Sequence, residues 1–438
     1  MQAGKRLLSL DVFRGITIAG MILVNNPGSW STVYPPLLHA EWHGSTPTDW
    51  VFPFFLFIVG VAIPLAIGKR IERGDAEGDI LRKILGRTLI IFGFGLLLAA
   101  FPDFNIKEAY HHLLPLHYVL LAVFSIGILT REVLNQKQFQ EAHHRRNRRI
   151  ATYISLAAAA GMAILGFFAY DLSTLRIPGV LQRIAIVYGI CSVLYLKTDW
   201  RTQLWTGVGL LLSYWALMAL VPVPGGLAPN LEPETNLGAW LDRLILGTDH
   251  LWSQSRTWDP EGLLSTIPAI GTGITGMLAG IWIKRTSDEY RKLTGILAAG
   301  AILLAVSLIW DQAFPINKKI WTSSYVLYTG GIALLFLGVV YWLVDVLDYK
   351  GWIKPFQVYG VNPLFAYILS GVLAKLAYMI SWETGAGTTQ TVQGWIYDHF
   401  FLSWLSPLNA SLGYGLLNVL VCLAAVWVLY RQRIYIKV

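Results

Sequence analysis

"LLHAEWHGSTPTDWVFPFFLFIVG", residues 37–60, decides the fold. A polar stretch carrying His39, Glu41, His43 and Asp49 runs directly into an apolar segment with no further charge until Lys69. About 20 apolar residues cross the hydrocarbon core of a bilayer. Largely uncharged runs of this length recur along the chain. They predict spans over 8–25, 50–68, 84–101, 115–130, 151–170, 179–196, 203–221, 263–283, 293–311, 323–345, 359–380 and 411–430. Composition agrees. Apolar residues make up 55% of the chain and charged residues only 14%, against about 25% charged in soluble domains. The fold class is therefore all-α, a polytopic transmembrane helical bundle of about 12 spans. Residues 1–438 read as one integral membrane domain. Eighteen tryptophans and twenty tyrosines suit interfacial belts.

The net charge of +8 does not point to nucleic acid, because the basic residues fall in alternate loops. Lys5 and Arg6 precede the first span. Loop 69–87 contains six Lys or Arg, and so does loop 131–149, including Lys137. Loop 26–49 contains none. Lys and Arg favour cytoplasmic loops, so both termini are expected in the cytoplasm. "NNPGSW", residues 25–30, is no small-residue cleavage site, so the first segment reads as a span rather than a leader. The long polar connection 222–262 is expected on the far side. Cys191 and Cys422 lie inside apolar segments and read as packing residues.

Polar groups at membrane depth are costly and mark functional candidates. Asp11 and Arg14 stand i,i+3 on the first helix. They either neutralise each other or offer the Arg14 fork to a phosphate. Asn25 and Asn26 close that helix as caps, or donate to a developing oxyanion. His39 and His43 have i,i+4 spacing, but no third metal ligand is evident and no metal is expected. Position distinguishes His39, which precedes a helix opening on Asp49, a carboxylate placed to orient an imidazole. Gln182 and Arg183 sit inside the sixth span and call for a buried partner or a ligand. Asp259 and Glu261 precede a helix, where its dipole favours acids. Lys318 and Lys319 lie on the side where positive charge is disfavoured, which favours an anionic partner. Asn362 and Pro363 stand near the start of a span. The adjacent pairs His111–His112 and His143–His144 are expected to be solvated, since neighbours on a helix do not face one ligand.

Eight segments occur in one order: "RLLSLDVFRG", "VNNPG", "HAEWHGSTPTDWVFPFFLFIVG", "RIPGVLQRIAIVY", "WLDRLILGTDHLW", "TWDPEGLLSTI", "FPINKKIWTSSYVLYTGG" and "GVNPLFAYILSG". Together they make the chain resemble the transmembrane acyltransferase family typified by heparan-α-glucosaminide N-acetyltransferase, in a bacterial branch. The resemblance touches nearly every part of the chain except about 101–175. It implies transfer of acetyl from cytoplasmic acetyl-CoA to a glucosamine-type amine across a bacterial inner membrane. It implies a catalytic His39 with Asn25 as its partner, and CoA contacts at Arg14, Gln182, Arg183, Lys318 and Asn362. A homodimer is suggested by the family alone. No counterpart of the animal enzyme's soluble domain and leading helix is expected here, and 101–175 reads as an inserted helical pair. The acceptor is then expected to be an envelope amino sugar or a scavenged glycan fragment.

On this reading neutral imidazole at His39 takes a proton as the amine attacks the thioester, and Asn25 meets the oxyanion. Direct transfer and an acetyl-histidine route both remain open. Three other classes compete: a secondary transporter of a small anionic or sugar substrate, a metal-dependent hydrolase and a scaffold. Prolines in or near spans favour the transporter, and a repeat would strengthen it, but none is evident.

Overall fold

A computed structural model describes residues 7–102, 104–136, 138–139, 141–385 and 388–436. Lys5, Arg6 and Lys137 lie outside the described residues. Fifteen α-helices follow one another among the described residues. They are α1 (Leu8–Asn25), α2 (Pro47–Glu72), α3 (Glu77–Ala100), α4 (Leu114–Leu134), α5 (Ala142–Phe168), α6 (Val180–Lys197), α7 (Trp200–Leu220) and α8 (Leu237–Leu246). The rest are α9 (Thr266–Arg285), α10 (Glu289–Asp311), α11 (Ser323–Tyr341), α12 (Lys354–Val361), α13 (Pro363–Met379), α14 (Val392–Tyr397) and α15 (Pro407–Arg431). Between α13 and α14, the strands β1 (Ser381–Glu383) and β2 (Thr389–Thr391) pair antiparallel.

Among the described residues eleven helices are long and apolar enough to cross a membrane, or twelve if the bent pair α12–α13 counts as one span. That pair is the predicted span 359–380, and it is bent by 89° rather than straight. The cause is local. Pro363 starts α13 where a missing N–H costs nothing, and Asn362 before it is not helical. The Asn362 side chain holds the break: Nδ2 donates to the Ile434 carbonyl at 3.0 Å, and Oδ1 accepts from the Ile436 N–H at 2.8 Å. Beside the break Gly360 presses on α1, where a Cβ would lie 1.9 Å from the Asp11 carbonyl oxygen.

The centre of the bundle is α2 against α9. Without a hydrophobic force between helices in lipid, small residues let backbones approach. A Cβ at Gly276 would lie 2.0 Å from the Phe57 carbonyl oxygen, and one at Gly60 would lie 2.1 Å from that of Gly273. Phe13, Phe54 and Phe57 pack where α1 meets α2. The α4–α5 pair is peripheral: 11% of the apolar window of α4 is buried, against 67% of that of α2. Loop 222–262 contains α8, which no span-length pattern reveals. The Asn236 side chain caps α8 by accepting from the Ala239 N–H at 2.9 Å.

Alternation of the helices gives the bundle two faces. The Lys/Arg-rich connections 69–87, 131–149, 197–201, 284–292 and 350–354 share one face, and His39, Lys318 and loop 222–262 share the other. On the basic face His143 is exposed as expected, but the expectation that neighbouring histidines do not face one ligand fails. The His143 and His144 rings lie 3.8 Å apart, and Glu141 is 3.3 Å from His143. At the exposed start of α5 the side chains are free to turn toward each other, and their ligand atoms fall within 4.8 Å of one another with that of Glu141.

Candidate active site

The start of α2 builds the site. Thr46 caps the helix, and Asp49, three residues on, reaches back in a capping box. Asp49 Oδ2 accepts from the Thr46 N–H at 2.9 Å and the Ala40 N–H at 3.1 Å. Its side chain is 1% exposed. Asp49 Oδ1 lies 2.7 Å from His39 Nδ1. A carboxylate already holding two N–H donors acts as acceptor here too, so the network assigns the proton to Nδ1 and leaves the Nε2 lone pair free. The His39 side chain is 42% exposed, so the ring stands at an open mouth.

A cation completes the cluster. Lys318 Nζ lies 3.0 Å from His39 Nδ1, 3.3 Å from Nε2 and 3.7 Å from Asp49 Oδ1. The two ring lone pairs diverge within the plane, so an amine this close to both nitrogens sits over the ring face. Lys318 is held in place by its loop. The Gly44 N–H donates to the Ile316 carbonyl at 2.7 Å, and Asn317 Oδ1 accepts from the N–H groups of Lys319 and Ile320. Burial pushes the Lys318 ammonium below its ordinary pKa, and the Asp49 charge opposes that shift. Lys319 is lowered by burial in the same way and lies 5.6 Å over the Trp258 ring.

The floor is packed. The Tyr325 hydroxyl donates to the Asp49 carbonyl at 2.5 Å, and Trp321 packs edge-on against Phe52. Beyond Trp321 lies Arg183, 1% exposed, its guanidinium 5.1 Å from the indole. Arg183 Nη2 donates to the Gly262 carbonyl at 3.0 Å and to Ser265 Oγ at 2.5 Å. Its Nε and Nη1 have no hydrogen-bond partner among the described residues, although both are buried. An unpaired buried donor costs about 1–3 kcal/mol, which marks these two as places for a ligand acceptor.

Loop residues surround this arginine. Arg176 donates to Asp259 at 2.9 and 2.6 Å and to Glu261 at 2.6 Å, tying the loop before α6 to the loop before α9. Asp242 of α8 accepts from the Leu263 N–H at 2.8 Å. Burial pushes the Asp242 carboxyl up to about 6. The folded state thus holds this proton where the unfolded chain has lost it, so stability falls as pH rises from about 4 to about 6. Asp242→Asn keeps the acceptor and removes the charge. It is expected to flatten that part of the stability curve and to raise stability at pH 7 by up to about 3 kcal/mol, read from melts at pH 4, 6 and 7.

Residues 6–221 match a family profile described as a domain of unknown function, DUF5009. The chain is also 27% identical over 416 residues to human heparan-alpha-glucosaminide N-acetyltransferase, covering 83% of this chain and 52% of that protein. The mouse enzyme of the same name is 26% identical over 424 residues, covering 85% and 54%. The chain is a distant relative of heparan-alpha-glucosaminide N-acetyltransferase. It spans about half the length of the curated relatives it matches.

The site residues expected from the heparan-alpha-glucosaminide N-acetyltransferase family divide between the two faces. His39, Asp49 and Lys318 meet directly. Gln182 and Arg183 are buried at the start of α6, toward the same face, and Gln182 fills the space left by Gly95 and Gly179. Arg14 belongs to the basic half of the bundle, donating to Asp11 Oδ1 at 3.1 Å and to the Gly360 carbonyl at 3.0 Å. Asn362 joins it there, engaged by the C-terminal segment. Asn25 is the exposed last residue of α1 and makes no hydrogen bond to His39, while Asn26 Nδ2 donates to the Ile22 carbonyl at 2.7 Å. The sequence reading missed Lys318 as a neighbour of the imidazole, because 279 residues separate them. Arg176 and Asp242 stood inside quoted motifs without a signal of their own.

Proposed function

We propose that the chain is a membrane acetyltransferase that moves acetyl from acetyl-CoA to the amine of a glucosamine-type sugar. The observation that carries this reading is the His39–Asp49–Lys318 cluster on a distant relative of an acetyltransferase. Asp49 fixes the ring with Nε2 outward. That nitrogen takes the amine proton as the amine attacks the thioester carbonyl, and Lys318 stands beside the carbonyl oxygen as negative charge develops. When the tetrahedral intermediate collapses the C–S bond breaks, and the CoA thiolate leaves as the thiol by taking the proton back from Nε2. Direct attack fits the open face of the ring; an acetyl-histidine route would show as a burst of CoA without acceptor.

Acetyl-CoA supplies the activated acyl group, and the residues present suit such a ligand. Arg183 holds two unpartnered buried donors, and amide or phosphate oxygens are their natural complement. Its distance from the basic face separates it from Arg14. The packed floor of Tyr325, Trp321 and Phe52 means that a donor arriving from the basic face needs these helices to part. By the Lys/Arg bias we place the basic face in the bacterial cytoplasm and His39 outside. The test is incubation of the purified chain with radiolabelled acetyl-CoA and a panel of amino sugars. Label in sugar supports the reading, and label in none of them ends it.

Lys318→Met should lower transfer on the order of 10²-fold, the cost of losing one group that stabilises the oxyanion. Lys318→Arg should recover part of it. The measurement is initial rate at saturating acetyl-CoA, and an unchanged rate in Lys318→Met would leave the lysine a mere ion-pair partner of Asp49. The broken α12–α13 pair favours a transporter as second reading. Uptake of an amino sugar into vesicles without acetyl-CoA would favour that alternative.

A further inference from the structure

The α4–α5 pair carries a groove that acetyl transfer does not use. Its volume is about 300 Å³. Val123, Ile126, Ile150 and Ile154 form apolar walls, and Thr130 and Asn147 are its polar members. At its buried base the helices nearly touch, since a Cβ on Gly127 would lie 2.3 Å from Ser155 Oγ. From residue 123 to residue 130 the wall on α4 rises about 10 Å at 1.5 Å per residue. Half of a hydrocarbon core is about 15 Å, so the groove lies within one leaflet, on the basic side.

The mouth is cationic. Arg131 follows Gly127 by four residues and Arg146 precedes Ile150 by four, spacings that keep each on the groove's face of its helix. Segment 131–149 holds five arginines against two glutamates. Arg131 lies 3.6 Å from Glu132, and Arg148 donates to Asn135 at 2.8 Å. Arg145, Arg146 and Arg149 form no ion pair with a described residue.

We infer that this groove holds one anionic glycerophospholipid, its acyl chain between the isoleucines and its phosphate at Arg131 and Arg146. Thr130 and Asn147 offer donors at the depth of the ester carbonyls, where water is scarce. A zwitterionic lipid brings its own cation to the arginines and loses the attraction. A second copy seated face to face would set these arginines against themselves. Basic pockets between helices favour anionic headgroups on the same physical grounds.

Native mass spectrometry of the full chain, in detergent doped equally with phosphatidylglycerol and phosphatidylcholine of matched chains, tests this. The expected result is one phosphatidylglycerol per chain, retained on the order of tenfold better than phosphatidylcholine. Arg131→Gln with Arg146→Gln should drop it to the phosphatidylcholine level, while Arg131→Lys with Arg146→Lys keeps the preference. Thr130→Trp should exclude both lipids, and millimolar inorganic phosphate should displace neither. Equal retention of the two lipids by the parent chain overturns the inference. So does an unchanged preference in the double glutamine variant, or a lipid-free dimer that Thr130→Trp splits. If Thr130→Trp does not fold, the glutamine pair still decides.

Discussion

His39→Ala is expected to lower acetyl transfer by at least the factor of about 10²–10⁴ that a positioned base contributes. The bundle should be left folded. The two halves of this expectation have separate grounds. The imidazole is 42% exposed at the mouth of the site, so its removal opens no buried cavity. Asp49 keeps its N–H donors from Thr46 and Ala40 in the variant, and Lys318 stays within ion-pair range, so the buried carboxylate is not orphaned. Asp49→Ala differs in kind, because it removes the Asp49 half of the capping box of α2 together with the orienting group. Loss of such a cap costs roughly 1 kcal/mol. The measurement pairs label transfer with thermal melting. His39→Ala should lose rate at an unchanged melting temperature, and Asp49→Ala should lose both. Transfer retained in His39→Ala would remove the histidine from the chemistry, whatever the acceptor is.

The spans were legible because crossing a bilayer imposes one length and one polarity on each helix. The broken span was not. A window average over 359–380 sees an apolar run, while the bend depends on Pro363 and on where Ile434 and Ile436 supply partners for Asn362. Helix α8 escaped for a related reason, since ten residues inside a Pro- and Gly-rich loop show no span-length signal. At the site, the His39–Asp49 pairing was legible because ten residues separate the two and a helix start brings them together. Lys318 was read as a misplaced cation and assigned to the cofactor. Its place beside the imidazole is set by the pairing of Gly44 with Asn317, a tertiary contact without local signature. Arg14, Gln182, Arg183 and Asn362 each read as a polar group at membrane depth. Only coordinates separate the two whose donors are spent on neighbouring backbone or acid, Arg14 and Asn362, from Arg183, which keeps two in reserve.

The largest effect on stability should come from Arg176→Met. Arg176 is 28% exposed, but the acids it holds are not: the Asp259 side chain is 0% exposed and that of Glu261 is 8%. Removing one member of a buried ion cluster typically costs 3–5 kcal/mol, because the remaining charges stay desolvated and unpaired. Burial already pushes the Asp259 carboxyl above its usual range, with Arg176 as the main opposing influence. Without the guanidinium the Asp259 carboxyl should shift further upward. A raised carboxyl in the folded state makes stability fall as pH rises through the interval between its unfolded and folded values. The variant's deficit should therefore be smaller near pH 5 than near pH 8, read as the midpoint of thermal unfolding. Combining Arg176→Met with Asp259→Asn and Glu261→Gln should restore most of the loss, because no uncompensated charge remains. Arg176→Lys should recover less, since a point charge cannot reproduce the fork that meets Asp259 twice. A single Arg176→Met that melts with the parent at pH 8 would show that water reaches these acids. In that case the loops before α6 and α9 are not clamped, and Arg183 is screened by solvent rather than held dry beneath them.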